Sequence, residues 1–183
     1  VALALLKNGA TDKEREFFNR EARINAILQH PHILPVYDAG IAADGRPFII
    51  TKLIEGHTLK EVLNNDEIAL DQILDIFEKV CEAVAYAHSR GILHLDLKPE
   101  NIAISAYGDV SVFDWGIRMV FAPGCDESDS IYDQNLQNVL SLHALDEDRL
   151  VRGTPGYMSP EQVKGELASY SVASDVFALG VML

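Results

Sequence analysis

The apolar positions change period several times along the chain, and each change marks an element. The opening run VALALL (1–6) is continuously apolar and predicts a buried strand. Thr11 followed three residues later by Glu14 is a capping box, which opens a helix to about Gln29, where His30-Pro31-His32 ends it. Two strand-like runs follow, ILPVYDAG and RPFIITKLI, joined through the turn residues Ala43-Asp44-Gly45. EGHTLKEVLNND reads as a connector with a short helix. Between Asp71 and Arg90 the residues Ile73, Phe77, Val80, Val84 and Ala87 recur at helical spacing, the stripe of a long core helix that Gly91 closes. Cys81 falls on the same stripe.

Past this helix the pattern becomes polar in a concentrated way. HLDLKPEN (94–101) places His94, Asp96, Lys98, Glu100 and Asn101 within eight positions. NIAIS, the turn Ala106-Tyr107-Gly108-Asp109 and VSVFDWG then predict a β-hairpin whose turn lies midway between Asn101 and Asp114. The hairpin is expected to gather Asp96, Lys98, Asn101 and Asp114 at one edge. Two carboxylates, an amide and an ammonium make an oxygen-rich site suited to Mg²⁺ plus phosphate, since hard cations take oxygen ligands and magnesium shares its shell with substrate phosphates. His94 reads as a packed structural histidine, and His30 and His32 as helix-end chemistry rather than metal ligands.

Composition narrows the function further. The chain has 183 residues, 48% of them hydrophobic, enough for a sizeable core in one domain or two small lobes. A net charge of -13, without any basic stripe, argues against nucleic acid or an anionic membrane as partner. Two cysteines, Cys81 and Cys125, supply neither a disulfide framework nor a zinc pattern, so a reducing, cytoplasmic setting is the default. No apolar run reaches the length of a membrane span. Apolar runs at both ends, without outer caps, read as a fragment of a longer protein. The stretch between Gly116 and Gly153, with its acidic run CDESDSIYD (125–133), is expected to be a mobile or partly helical insert.

These residues carry a family resemblance. HLDLKPEN resembles the catalytic loop of protein kinases, FDWG their metal-binding Asp-Phe-Gly, and GTPGYMSPE (153–161) the end of their activation segment. SDVFALGV (174–181) is similar to the start of the following core helix, and FFNREARINAILQHPHILPVYDAG to the regulatory helix and the next strand. The motifs occur in family order over the whole chain, in the flavour of the eukaryotic-like serine/threonine kinases of bacteria. The resemblance implies an α+β, two-lobed protein kinase fold truncated at both ends. A small lobe of residues 1–53 lacks the glycine-rich loop, residues 54–183 form a mainly helical lobe, and ATP sits in the cleft between them.

What the resemblance implies residue by residue is specific. Asp96 accepts or orients the substrate hydroxyl proton, Lys98 steadies the γ-phosphate, and Asn101 and Asp114 hold Mg²⁺. Glu21 matches the glutamate that pairs with a strand lysine, and Ala2 belongs to the strand motif over the nucleotide. Thr51 matches the gatekeeper, and the backbones of Lys52 and Ile54 match the hinge groups that bind adenine. Thr154 lies in the loop that shapes the substrate site, and Asp175 matches the aspartate bracing the catalytic loop. The implied reaction moves the γ-phosphate of Mg·ATP to Ser or Thr of a protein substrate.

Three departures bear on activity. Ala4 occupies the position of the phosphate-anchoring lysine, and Lys7, three residues on, points to the opposite strand face unless a bulge shifts the register. Leu95 replaces the arginine that commonly binds a phosphorylated activation loop, and Trp115 replaces the phenylalanine of Asp-Phe-Gly. Ala4 is the main support for a second reading, a pseudokinase that binds partners or nucleotide without phosphotransfer. A third class, small-molecule phosphotransferases of the aminoglycoside or choline type, shares the Asp-loop-Asn arrangement. LKPEN and GTPGYMSPE speak against that class.

Overall fold

The computed structural model describes residues 1–64, 68–115, 118–119 and 153–183. They fall into two compact units, Val1–Ala83 with Pro99–Gly116, and Val84–Lys98 with Ile117–Leu183.

The first unit is built on two antiparallel three-stranded sheets. β1 (Ala2–Leu5), β2 (Val36–Ile41) and β3 (Pro47–Thr51) are ordered β1-β3-β2. Ala2 pairs with Thr51 and Ala4 with Ile49. Cross-strand partners point to the same side, so Ala2, Ala4, Ile49 and Thr51 share one face, the one on which Ile49 is buried. The expectation of a buried first strand does not hold, because Val1 and Leu3 are 79% and 64% exposed. Among the described residues β1 is hydrogen-bonded to β3 alone, and Leu3 lies on the sheet face opposite Ile49.

α1 (Asp12–Ile27) begins at the predicted capping box, with both Thr11–Glu14 bonds formed, and buries Ala22, Ile24 and Asn25. It stops two residues short of Gln29, as Pro31 disfavours helical backbone ahead of it. A second sheet, β4-β6-β7, joins β4 (Gly56–Thr58), β6 (Ile102–Ser105) and β7 (Val110–Val112). β4 was not legible as a strand, being three residues held by the β6 ladder. Its Gly56 is required, because a Cβ there would overlap the Ile104 carbonyl. Thr58 then caps α2 (Leu59–Leu63) through a second capping box with Glu61.

The β6–β7 hairpin forms as expected. Ser105 Oγ accepts from the amides of Tyr107 and Asp109, and Gly108 takes the left-handed turn position at φ 82°. α3 (Leu70–Ser89) is the long helix of the apolar stripe. Val80, Val84 and Ala87 are buried with Ile76 and Ala83, whereas Ile73 and Phe77 are half-buried.

In the second unit Gly91, at φ 71°, ends α3, and β5 (Ile92–Leu93) pairs with β8 (Arg118–Met119). α4 (Pro160–Lys164) and α5 (Val172–Met182) follow. Leu93, Leu95 and Tyr170 form a buried cluster with Leu167 packed against it. Apart from Arg118 and Met119, the insert expected between Gly116 and Gly153, with Cys125, lies outside the described residues. Among the described residues no helix is long and apolar enough to cross a membrane.

Candidate active site

Within the second unit the polar residues of HLDLKPEN converge on Thr154. Lys98 Nζ lies 2.8 Å from Asp96 Oδ2 and donates to Thr154 Oγ1 at 2.7 Å. Thr154 Oγ1 in turn donates to Asp96 Oδ1 at 2.7 Å. Both Asp96 oxygens are thereby engaged on a 10% exposed side chain, and the three groups form a closed triangle. A hydroxyl that accepts from an ammonium while donating to a carboxylate fixes both charges in direction, the preorganisation that proton acceptance and phosphate stabilisation need.

The backbone beneath Asp96 is held as tightly. Asp175, fully buried on α5, accepts from the amides of His94 at 2.9 Å and Leu95 at 2.7 Å, and from His88 Nε2 at 2.8 Å. His94 is fully buried, and its Nδ1 accepts from the Asp96 amide at 3.3 Å, which makes it a packed, orienting histidine. Leu95 stands at φ 62°, left-handed backbone that a branched side chain adopts only where surrounding contacts impose it.

The first unit carries the remaining predicted site residues. The Phe113 amide donates to the Asn101 carbonyl at 3.0 Å, extending the β6–β7 ladder by one step. Asn101 and Asp114 therefore lie at the same end of the hairpin, while Asp96 and Lys98 belong to the other unit. Asp114 is exposed and left-handed at φ 67°, and Trp115 behind it is fully buried with Nε1 donating to the Val112 carbonyl.

Glu21 is half-buried on α1, and burial, with the charge of Asp114 adding to it, pushes its carboxyl up to about 7. Ala4 offers no cation on the inner sheet face, and Lys7 is committed elsewhere, 2.8 Å from Glu14 on the surface. The β1–β3 register is regular, so no bulge turns Lys7 inward. Thr51, Lys52 and Ile54 are half-buried along the exit of β3. The Lys52 amide donates to the Pro35 carbonyl at 3.2 Å.

Asn101 and Asp114 suit magnesium as a partial oxygen set. No group of three or more His, Cys, Asp or Glu side chains among the described residues is arranged to hold an ion, so phosphates and water would complete the shell. The electrostatics agree: Glu21 and Asp114 put two carboxylates within mutual influence, an environment that a divalent cation relieves.

A model of the protein kinase domain matches residues 1–183, the entire length. The chain belongs to the protein kinase family. It is 37% identical over 199 residues to the serine/threonine-protein kinase PknD of Chlamydia caviae, and 39% over 181 residues to that of Chlamydia pneumoniae. A third relative, the serine/threonine-protein kinase PknD of Protochlamydia amoebophila, is 33% identical over 180 residues. These alignments take in 100%, 91% and 91% of this chain but only 21%, 18% and 18% of the relatives. The bacterial-type serine/threonine kinase resemblance and the α+β kinase fold read from the motifs both stand.

Sequence reasoning placed Thr154 in the substrate loop but missed its bonds to Asp96 and Lys98. It also missed His88, which meets Asp175 across 87 residues, and Gln162, which reaches the Leu95 carbonyl across 67. For Thr154 a signal existed in its place after Gly153 in the GTPGY motif; for His88 and Gln162 there was none.

Proposed function

We propose that this kinase domain transfers the γ-phosphate of Mg·ATP to Ser or Thr hydroxyls of a protein, with Asp96 as the proton acceptor. The observation that carries the reading is the closed Asp96–Lys98–Thr154 triangle, which holds a carboxylate and an ammonium ready without substrate. Asp96 orients the incoming hydroxyl and takes its proton. Lys98 neutralises charge on the moving phosphoryl group, and Thr154, bonded to both partners of the Asp96–Lys98 ion pair, fixes their orientation. Asn101 and Asp114 would hold magnesium, which would supply charge neutralisation at the phosphates. Ala2, Thr51 and the backbones of Lys52 and Ile54 receive the adenine, in a small lobe that runs to about Leu53, with the rest of the chain in the larger lobe. Dependence on ATP puts the reaction in the cytoplasm, and the net charge of -13 points to a protein partner rather than a nucleic acid.

Ala4 favours a second reading, a pseudokinase that retains the fold without transfer. With Lys7 engaged by Glu14, no cation among the described residues pairs with Glu21. The deciding measurement is radiolabel transfer from Mg·ATP to a generic Ser/Thr substrate by the full-length protein, with Asp96→Asn as control. Transfer well above the control supports the enzyme. A wild type no faster than the control leaves the pseudokinase.

A further inference from the structure

Asp96 follows a residue in strained backbone, and two different side chains hold that residue. The amide of Leu95 belongs to Asp175, and its carbonyl accepts from Gln162 Nε2 at 2.8 Å. Gln162 is 2% exposed and stands in the first turn of α4, with Oε1 accepting from Ser159 N at 3.0 Å and Ser159 Oγ at 3.1 Å. The orientation of its amide is unambiguous, because a backbone N–H only donates and a backbone carbonyl only accepts. Oε1 must face Ser159, and Nε2 must face Leu95.

As a helix cap, Gln162 is replaceable. A capping box needs only an acceptor at this position, and glutamate serves as well as glutamine, with the helix dipole in its favour. The donor half of the side chain has no capping role. It donates to the carbonyl of the left-handed residue next to Asp96. Gly153 closes the same junction: it sits at φ 127°, and a Cβ there would meet the Leu95 carbonyl at 3.2 Å and Gln162 Nε2 at 3.3 Å. The segment that carries Thr154 and the helix that carries Gln162 therefore both bear on the backbone of Leu95.

We infer that Gln162 is a positioning residue for phosphotransfer: its amide N–H holds Leu95 left-handed, and so aims the Asp96 carboxylate at Thr154 and the substrate hydroxyl. The inference rests on the phosphotransfer reading above.

The test is Gln162→Glu in the full-length protein, with Gln162→Met as a second variant that keeps side-chain length and removes both polar ends. Gln162→Glu keeps the cap but sets a carboxylate oxygen against the Leu95 carbonyl. The expected result is a kcat lower by about tenfold to 100-fold, the size of a small misplacement of a reacting group, with KM for ATP and the melting temperature close to wild type. Hydrogen exchange at the Leu95 amide should quicken in the same variant. Wild-type kcat in a folded Gln162→Glu protein overturns the inference, and if that variant does not fold, wild-type kcat in Gln162→Met does so instead. Should the unsubstituted protein transfer no faster than Asp96→Asn, the phosphotransfer reading fails, and Leu95 exchange still decides the clamp. Unchanged exchange in either folded variant overturns it, and faster exchange supports it.

Discussion

Burial of Glu21 on α1, with the charge of Asp114 after β7 adding to it inside the first unit, holds the Glu21 carboxyl up to about 7. A lysine at position 4 would ordinarily answer that charge; here the position is alanine.

Glu21 should therefore make stability depend on pH in the metal-free protein. Its folded value of about 7 exceeds its usual 4.5, so the folded chain keeps a proton that the unfolded chain has released. The resulting stabilisation is complete below about pH 4.5 and is lost as pH rises to about 7. Glu21→Gln, which cannot ionise, should flatten that window and leave the variant about 1–2 kcal/mol more stable than wild type at pH 8, after allowance for partial exposure. Urea unfolding at several pH values measures this; parallel curves for the two proteins would contradict it.

Ala4→Lys should return Glu21 toward its ordinary titration range, because Ala4 shares the inner face with Ile49 and Thr51. An NMR titration of the Glu21 carboxyl reads the change directly. The same variant should raise the rate of phosphotransfer. A Glu21 titration that does not move would show that the new ammonium points elsewhere.

Thr154→Val removes a hydroxyl bonded to both Asp96 and Lys98 at 2.7 Å and leaves the shape nearly unchanged. Lowered kcat, by about tenfold to 100-fold, with ATP affinity intact is the expected outcome. Loss of ATP affinity with kcat preserved would move Thr154 out of the transfer step.

Asp175→Asn turns one of three accepting contacts of a fully buried carboxylate into a donor facing a donor. It should cost about 2–4 kcal/mol of stability and release the amides of His94 and Leu95 to exchange. Protection at Leu95 equal to wild type would show that the left-handed backbone does not depend on Asp175.

Thr51→Met should exclude adenine-site ligands that reach past the end of β3 while ATP affinity stays nearly constant, as measured by competition binding. Equal loss of both would displace Thr51 from the position assigned to it.

The sequence by itself determined the elements whose causes are local. The Thr11–Glu14 cap, the turn at Gly108, the 3.6-residue stripe of α3 and its stop at Gly91 all arise from interactions within a few residues, so pattern reveals them. The order of HLDLKPEN, FDWG and GTPGYMSPE was enough to name the family and its candidate residues. Tertiary structure decided what depends on partners far along the chain. β1 pairs with β3 alone among the described residues, with Leu3 exposed, and β4 is a strand only because β6 pairs with it. Leu95 is left-handed in the company of Asp175 and Gln162, 80 and 67 residues away, and Thr154 meets Asp96 across 58. Local propensity opposes that conformation at Leu95, and only distant hydrogen bonds assembled by the fold outweigh it.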